Sequence, residues 1–279
     1  MDSVKQLERF ALVLNINLRC DLTFRQRGFN LRHYAYVCNQ LMLDLGYKRY
    51  VAQGGDWGSM ITRIIGQHHS ENVRGVHVNL VAFDPINVLK QPLLFLQALL
   101  PNFWPERAGL SLMGSMKDYT VDGNGYFKIQ STRPQTVAYA LTDSPVALLG
   151  WVHEKLLHWT DSYPWTEDEV LTWISIYWFS RAGPGASVRT YFEAIHPSPE
   201  WNGKAADARM WDWTNVPLGI SQFPKDIVGI PSILTRTLGR IVFEKFHDRG
   251  GHFAAWETPD LLVADVREMY GQKGDWHNS

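Results

Sequence analysis

Three side chains in this sequence have types and settings suited to nucleophilic catalysis: Asp56, Asp226 and His252. Asp56 stands in Gly54-Gly55-Asp56-Trp57-Gly58-Ser59, where the apolar, β-prone run Tyr50-Val51-Ala52-Gln53 gives way to helical spacing from Met60 onward. Small residues on both sides let the backbone reverse sharply, which holds the apex side chain out into a cleft. A carboxylate at such an apex can attack carbon and form an ester, and the N-terminus of the following helix favours the ionised form that attacks. The competing reading is an ordinary tight turn in which Asp56 caps the helix, since Asp is a favoured N-cap residue.

Asp226 ends the loop Phe223-Pro224-Lys225-Asp226 after a strand-like run, Val216–Ser221, and His252 lies in Gly250-Gly251-His252-Phe253 after Arg240–Phe246. The chain order is nucleophile, acid, histidine, each at the end of a predicted strand, which is the order of the α/β-hydrolase triad. Helical spacing over Leu31–Gly46 predicts a helix before the elbow strand, and the β-branched run Val73–Leu80 predicts a parallel strand after the elbow helix. Between about residues 82 and 212 long helical stretches dominate, such as Val137–Leu157 and Glu167–Arg181, with no central strand. Such an insertion would lie over the strand ends, where α/β folds bind ligands. The last helix is predicted at Pro259–Tyr270, and Leu12–Leu18 alternates enough to suit a strand. The expected organisation is 1–81 as the N-terminal part of an α/β core, 82–212 as a helical lid and 213–279 as the rest of the core.

The chain has 279 residues, 45% of them hydrophobic, and a net charge of -1. That balance argues against a nucleic-acid partner, which would call for a basic face. Cys20 and Cys38 show no metal-type or disulfide-type spacing, so no metal site is expected. The start, Met1-Asp2-Ser3-Val4-Lys5, lacks a basic n-region and cleavage site, and Phe10–Leu14 is too short to span a bilayer, so the expectation is a cytoplasmic protein without a membrane span. Twelve tryptophans suit either a large core or an aromatic-lined pocket for a lipophilic ligand.

The elbow, Leu141-Thr142-Asp143-Ser144-Pro145-Val146, Phe223-Pro224-Lys225-Asp226 and Gly250-Gly251-His252-Phe253-Ala254-Ala255 together resemble an epoxide hydrolase of the microsomal type, closest to the soluble fungal members. The resemblance runs from about Leu31 to Tyr270. It implies an α/β-hydrolase fold and hydrolysis of a lipophilic epoxide to a vicinal diol, in detoxification, aromatic-hydrocarbon catabolism or secondary-metabolite tailoring. Asp56 would be the nucleophile, His252 the general base and Asp226 the acid that orients it. The resemblance also assigns Tyr126 and Tyr191 as proton donors to the epoxide oxygen, and the Trp57 N–H as an oxyanion donor at the pocket. Water is then the co-substrate and no cofactor is needed. The oligomeric state is left open, a homodimer included.

The family's second oxyanion donor comes from a His-Gly-Trp-Pro loop, and this chain has no His-Gly dipeptide. Only 55 residues precede Asp56, and the first 30 do not resemble the family's longer N-terminal region. The expectation is a triad that is present, early strands that are missing, an unpaired apolar edge along the strands carrying Asp56 and Val76, and activity of this chain in doubt. Two alternatives stand beside it. One is a haloalkane-dehalogenase-like hydrolase, which also uses an aspartate elbow with an adjacent Trp. The other is a truncated, inactive epoxide-hydrolase-like protein that only binds ligand.

Overall fold

The computed structural model describes residues 12–14, 27–81, 119–197, 212–230 and 232–271. Among the described residues five strands form one parallel sheet in the order β1 (Leu12–Leu14), β2 (Tyr50–Gly55), β3 (Val73–Asn79), β4 (Thr214–Gln222) and β5 (Gly239–Phe246). The central strands read as near-continuous apolar runs because both faces are covered. On one face Ala52, Val76, Val78, Leu218 and Ile220 pack with Ile61, Ile64 and Ile65 of α2 (Trp57–His68) and with α1 (Leu31–Asp44). On the other face Val51 packs with Met269 and Tyr270 of the last helix, Pro259–Tyr270. A Cβ on Gly219 would come within 2.3 Å of the Met269 sulfur, so that helix docks where the sheet has no side chain in its way.

Buried polar groups tie these layers together. Arg63 of α2, fully buried, donates to the carbonyls of Asp212 and Leu238 at 3.0 and 2.9 Å, which fixes the starts of β4 and β5. Ser221 of β4 donates to Asp265 of the last helix at 2.5 Å. Each satisfied pair avoids the roughly 1–3 kcal/mol cost of a stranded buried polar group.

The unpaired edge expected along the strands carrying Asp56 and Val76 is not found. Strand β3 is paired on both sides, and β2 takes β1 on its outer side with Leu12, Val13 and Leu14 opposite Ala52, Gln53 and Gly54. One early strand is thus present, in the segment whose alternation suggested it; residues 15–18 lie outside the described residues.

The described elements between β3 and β4 are helical: a wide turn at Tyr119–Gly123, α3 (Gly125–Thr132), α4 (Pro134–Asp143), α5 (Pro145–His158), α6 (Glu167–Trp178), a short turn at Pro184–Ala186 and α7 (Arg189–Ile195). The continuous helix expected over Val137–Leu157 is broken at Ser144. Proline at 145 disfavours helical backbone in the residue before it, and Ser144 is extended, with φ -126° and ψ 116°. Its hydroxyl then accepts from the Ala147 N–H at 3.2 Å, capping α5. Helix α6 starts at a reciprocal cap between Thr166 and Glu169 and stops at Trp178, three residues short of the expected Arg181.

The short segments are α8 (Ser232–Thr235) and α9 (Ala254–Glu257), and the last helix is α10 (Pro259–Tyr270). Among the described residues no helix is long and apolar enough to cross a membrane.

Candidate active site

Asp56 occupies the junction of β2 and α2 with φ 51° and ψ -130°, a strained conformation for a residue with a side chain, of order 1–3 kcal/mol. Its side chain makes no capping hydrogen bond to α2, so the helix-cap reading fails. The flanking glycines are dictated by contact. A Cβ on Gly54 would meet the Gly58 carbonyl oxygen at 2.2 Å, and one on Gly55 would meet the Asn79 amide at 2.7 Å. Because the Gly58 carbonyl is backbone, Gly54→Ala is expected to cost ~3 kcal/mol, seen as a Tm lower by roughly 6–12 °C. A Tm within a degree of the parent would show that the elbow is looser than this.

Asp226, just past β4, and His252, between β5 and α9, converge on the apex. His252 Nδ1 lies 2.8 Å from Asp226 Oδ1, and its Nε2 lies 3.5 Å from Asp56 Oδ2. Asp226 is itself held by the Ile227 N–H at 2.8 Å. His252 and Asp226 are buried, whereas Asp56 keeps 21% of its side chain exposed. Burial alone would push the imidazole down, but the charge and hydrogen bond of Asp226, with Asp56 beyond, outweigh it and carry His252 up to about 10.

The histidine loop is clamped from the helical segment. The His252 N–H donates to the Trp159 carbonyl at 2.8 Å, and the Gly250 N–H to Asp161 Oδ2 at 3.0 Å. Glu257 accepts from Gly251 N–H at 2.6 Å and from Asp161 N–H at 2.8 Å. A Cβ on Gly251 would meet the Trp159 carbonyl oxygen at 2.6 Å, so this clamp needs the glycine.

Tyr126 of α3 and Tyr191 of α7 meet with ring centroids 5.9 Å apart, and both line a cavity of about 80 Å³ with Asp56. Burial, then the neighbouring phenols and the Asp56 charge, push the Tyr126 hydroxyl far up; burial and then Asp56 do the same for Tyr191. Both therefore stay protonated as donors. The rest of the lining is mostly aromatic and aliphatic, including Trp151, Trp159, Trp173 and Phe253, with Gln130, Lys155 and Ser187 as its polar members. A wider groove of about 630 Å³ between Tyr34 and α7 contains none of the three catalytic candidates. Trp57 backs the pocket rather than lining it: its ring is 3% exposed and packs edge-on against Tyr191 at 4.9 Å.

Two residues absent from the sequence reading stand at the phenols. Tyr119 Oη lies 3.4 Å from Tyr126 Oη, a pairing that only its spacing of seven residues hinted at. Lys155, with 13% of its side chain exposed, holds its ammonium 4.8 Å from the Tyr126 ring centre, beside Glu154. No local motif marks it. A cation over the ring face favours charge developing on the phenol by ~0.5–2 kcal/mol, so Lys155→Met is expected to slow epoxide opening ~3–30-fold. Rapid-quench measurement of ester formation tests this; an unchanged rate would leave Lys155 a packing residue.

A parallel sheet crossed by helices, with a strand-to-helix elbow and with acid and histidine loops after the last two strands, defines an α/β-hydrolase fold. No protein-family model matches the chain. Among characterised sequences it is 33% identical to epoxide hydrolase 1 of Sus scrofa over 88% of this chain and 56% of that protein, and 30% identical to juvenile hormone epoxide hydrolase of Bombyx mori over 88% of this chain and 55% of that protein. Among solved structures, the epoxide hydrolase of Aspergillus niger superposes with TM-score 0.71 at 32% identity, covering 89% of this chain and 59% of that one. The Bombyx mori juvenile hormone epoxide hydrolase superposes with TM-score 0.78 at 28% identity, covering 91% and 61%. The chain is a homologue of the epoxide hydrolases, and it spans little more than half the length of these sequence relatives.

Proposed function

We propose that this chain carries the reaction centre of an epoxide hydrolase that opens lipophilic epoxides to vicinal diols. The observation that carries the reading is a single apex carboxylate between two opposed groups: the His252–Asp226 pair on one side and the phenols Tyr126 and Tyr191 on the other. The helical segment then acts as a lid, since it supplies both phenols and most of the apolar lining.

In the first half-reaction a carboxylate oxygen of Asp56 bonds to an epoxide carbon as the carbon–oxygen bond breaks. The ring oxygen takes a proton from one phenol while the other donates a hydrogen bond. The product is a hydroxyalkyl ester on Asp56 and a tyrosinate. In the resting site His252 is an imidazolium between two carboxylates. Esterification removes the Asp56 charge that helped hold its proton, so His252 releases that proton, which restores the phenol, and becomes a base. It then takes a proton from water, the hydroxide attacks the ester carbonyl, and the diol leaves with the proton returned by His252; the carboxylic acid left on Asp56 passes its proton to His252, which restores the resting carboxylate and imidazolium. The Trp57 N–H, at the first position of α2, is the donor to the oxyanion that forms on the way.

The phenols separate this reading from a dehalogenase, because a halide leaving group takes no proton. Tyr126→Phe with Tyr191→Phe is expected to lower epoxide opening by roughly 10³-fold or more. Unchanged turnover of styrene oxide, or haloalkane turnover that survives the double substitution, would sink the epoxide reading. Foreign epoxides and secondary-metabolite epoxides both suit the apolar lining. A reducing compartment such as the cytoplasm suits a chain whose two cysteines, Cys20 and Cys38, have no disulfide-type spacing.

A further inference from the structure

Asp56 borders two cavities rather than one. The first, of about 80 Å³, is lined by both phenols and mostly by apolar side chains, with Gln130, Lys155 and Ser187 among them. The second, of about 60 Å³, is lined by Gln53, Gly55, Asp56, Asn79, Trp173, His252, Phe253, Ala255 and Trp256. They share only Asp56, Trp173 and Phe253. Trp173 and Phe253 meet edge to face with centroids 5.4 Å apart, so they form an aromatic partition with the carboxylate beside it. His252 borders the second cavity and not the first.

The second cavity also has polar walls that nothing in the reaction scheme has yet used. Gln53 and Asn79 lie one pleat apart on adjacent strands of the sheet, 3% and 4% exposed. Gln53 Nε2 donates to Asn79 Oδ1 at 2.7 Å, so the acceptor end of the Asn79 amide is occupied and its N–H₂ end is the donor that remains. The same amide lies against Gly55, where a Cβ would meet Asn79 Nδ2 at 2.7 Å. Asn79 is thereby fixed next to the nucleophile's backbone by a contact that only glycine permits.

The geometry points to this cavity as the chamber that holds the hydrolytic water, with Asn79 as its positioning residue and Gln53 as the group that orients Asn79. The inference rests on the proposed epoxide-hydrolase reading for its chemistry. A volume of about 60 Å³ has room for roughly two waters, and a buried water is stable where it finds two to four polar partners. His252 Nε2, the Asp56 carboxylate and the Asn79 N–H₂ group supply them. The water accepts a hydrogen bond from Asn79 and gives its proton to His252, while its oxygen attacks the Asp56 ester carbonyl from the side away from the substrate. The partition thus gives each half-reaction its own compartment: one beneath the phenols for the epoxide, one beside His252 and the Gln53–Asn79 pair for the water.

The test combines a crystal structure of the full chain with single-turnover kinetics on styrene oxide. The expected structure has an ordered water within hydrogen-bond reach of both Asn79 Nδ2 and His252 Nε2, and that water is absent in Asn79→Leu. In single turnover, Asn79→Leu is expected to slow release of the ester roughly 10-fold or more while changing ester formation less than about 2-fold. Asn79→Ser, which keeps a hydroxyl donor, is expected to recover part of the loss. A chamber filled by side chains, or no water on Asn79 and His252, would overturn the inference; so would an unchanged rate of ester release in Asn79→Leu. A parent protein with the water in place but no reaction with the epoxide would leave the chamber standing and overturn the epoxide reading instead.

Discussion

Asp56→Ala is expected to abolish covalent labelling and diol formation together, by at least ~10⁴-fold, with the fold retained. The cavity that holds Tyr126 and Tyr191 has one carboxylate on its walls, so no second carboxylate can take over the attack. Asp226 cannot substitute, because it is 3% exposed and is engaged by His252 Nδ1 and the Ile227 N–H. The fold survives because the elbow is held by Gly54 against Gly58 and by the Ser59 hydroxyl donating to the Asp56 carbonyl at 2.7 Å, contacts that do not involve the carboxylate. Circular dichroism and diol chromatography on the same preparation check both halves of the prediction. Residual diol at more than a hundredth of the parent rate would mean direct attack by water.

His252→Gln is expected to separate the half-reactions. Ester formation on Asp56 continues, but its hydrolysis slows by roughly 10²–10⁴-fold, so the protein becomes labelled once and stalls. The same argument sets the pH dependence. His252 binds its proton more tightly in the folded protein than in the unfolded chain, so its contribution to stability is complete below an unfolded value of about 6.5 and is lost as pH rises through about 10. Thermal melts of the parent should therefore fall between neutral pH and 10, and those of His252→Gln should fall less. Ester hydrolysis should rise with pH at a midpoint well below 10, since the ester lacks the Asp56 charge. Equal slowing of both half-reactions in His252→Gln would make the histidine structural.

The parts of this site that were legible in the sequence are those fixed by local backbone demands. Two glycines, a carboxylate and a third glycine between a strand and a helix announce an elbow because few other residues can occupy it. Asp226 and His252 were legible through their places after predicted strands, and the parallel register then brings them to one end of the sheet. The break at Ser144 was missed because the apolar spacing on either side of Pro145 is continuous, and periodicity outweighed the effect of proline on the residue before it. Tyr119, Lys155, Asn79 and the Glu257 clamp were missed for a different reason. Their partners lie on other elements or across the sheet, and no short-range pattern records a contact such as Gly251 N–H to Glu257 or Gln53 to Asn79. The pairing of Leu12–Leu14 with β2 was likewise a tertiary fact, suggested by alternation and decided by the sheet.

The central claim is that Asp56 forms an ester with an epoxide carbon and then gives it up to water. Intact-mass analysis of the purified chain mixed with styrene oxide, with peptide mapping and diol formation followed in parallel, tests it most directly. The account predicts a transient gain of one styrene oxide per protein, mapped to the peptide carrying Asp56, with the diol appearing as the adduct decays. A folded protein that gives no adduct and no diol, or an adduct mapped to any other side chain, would contradict it.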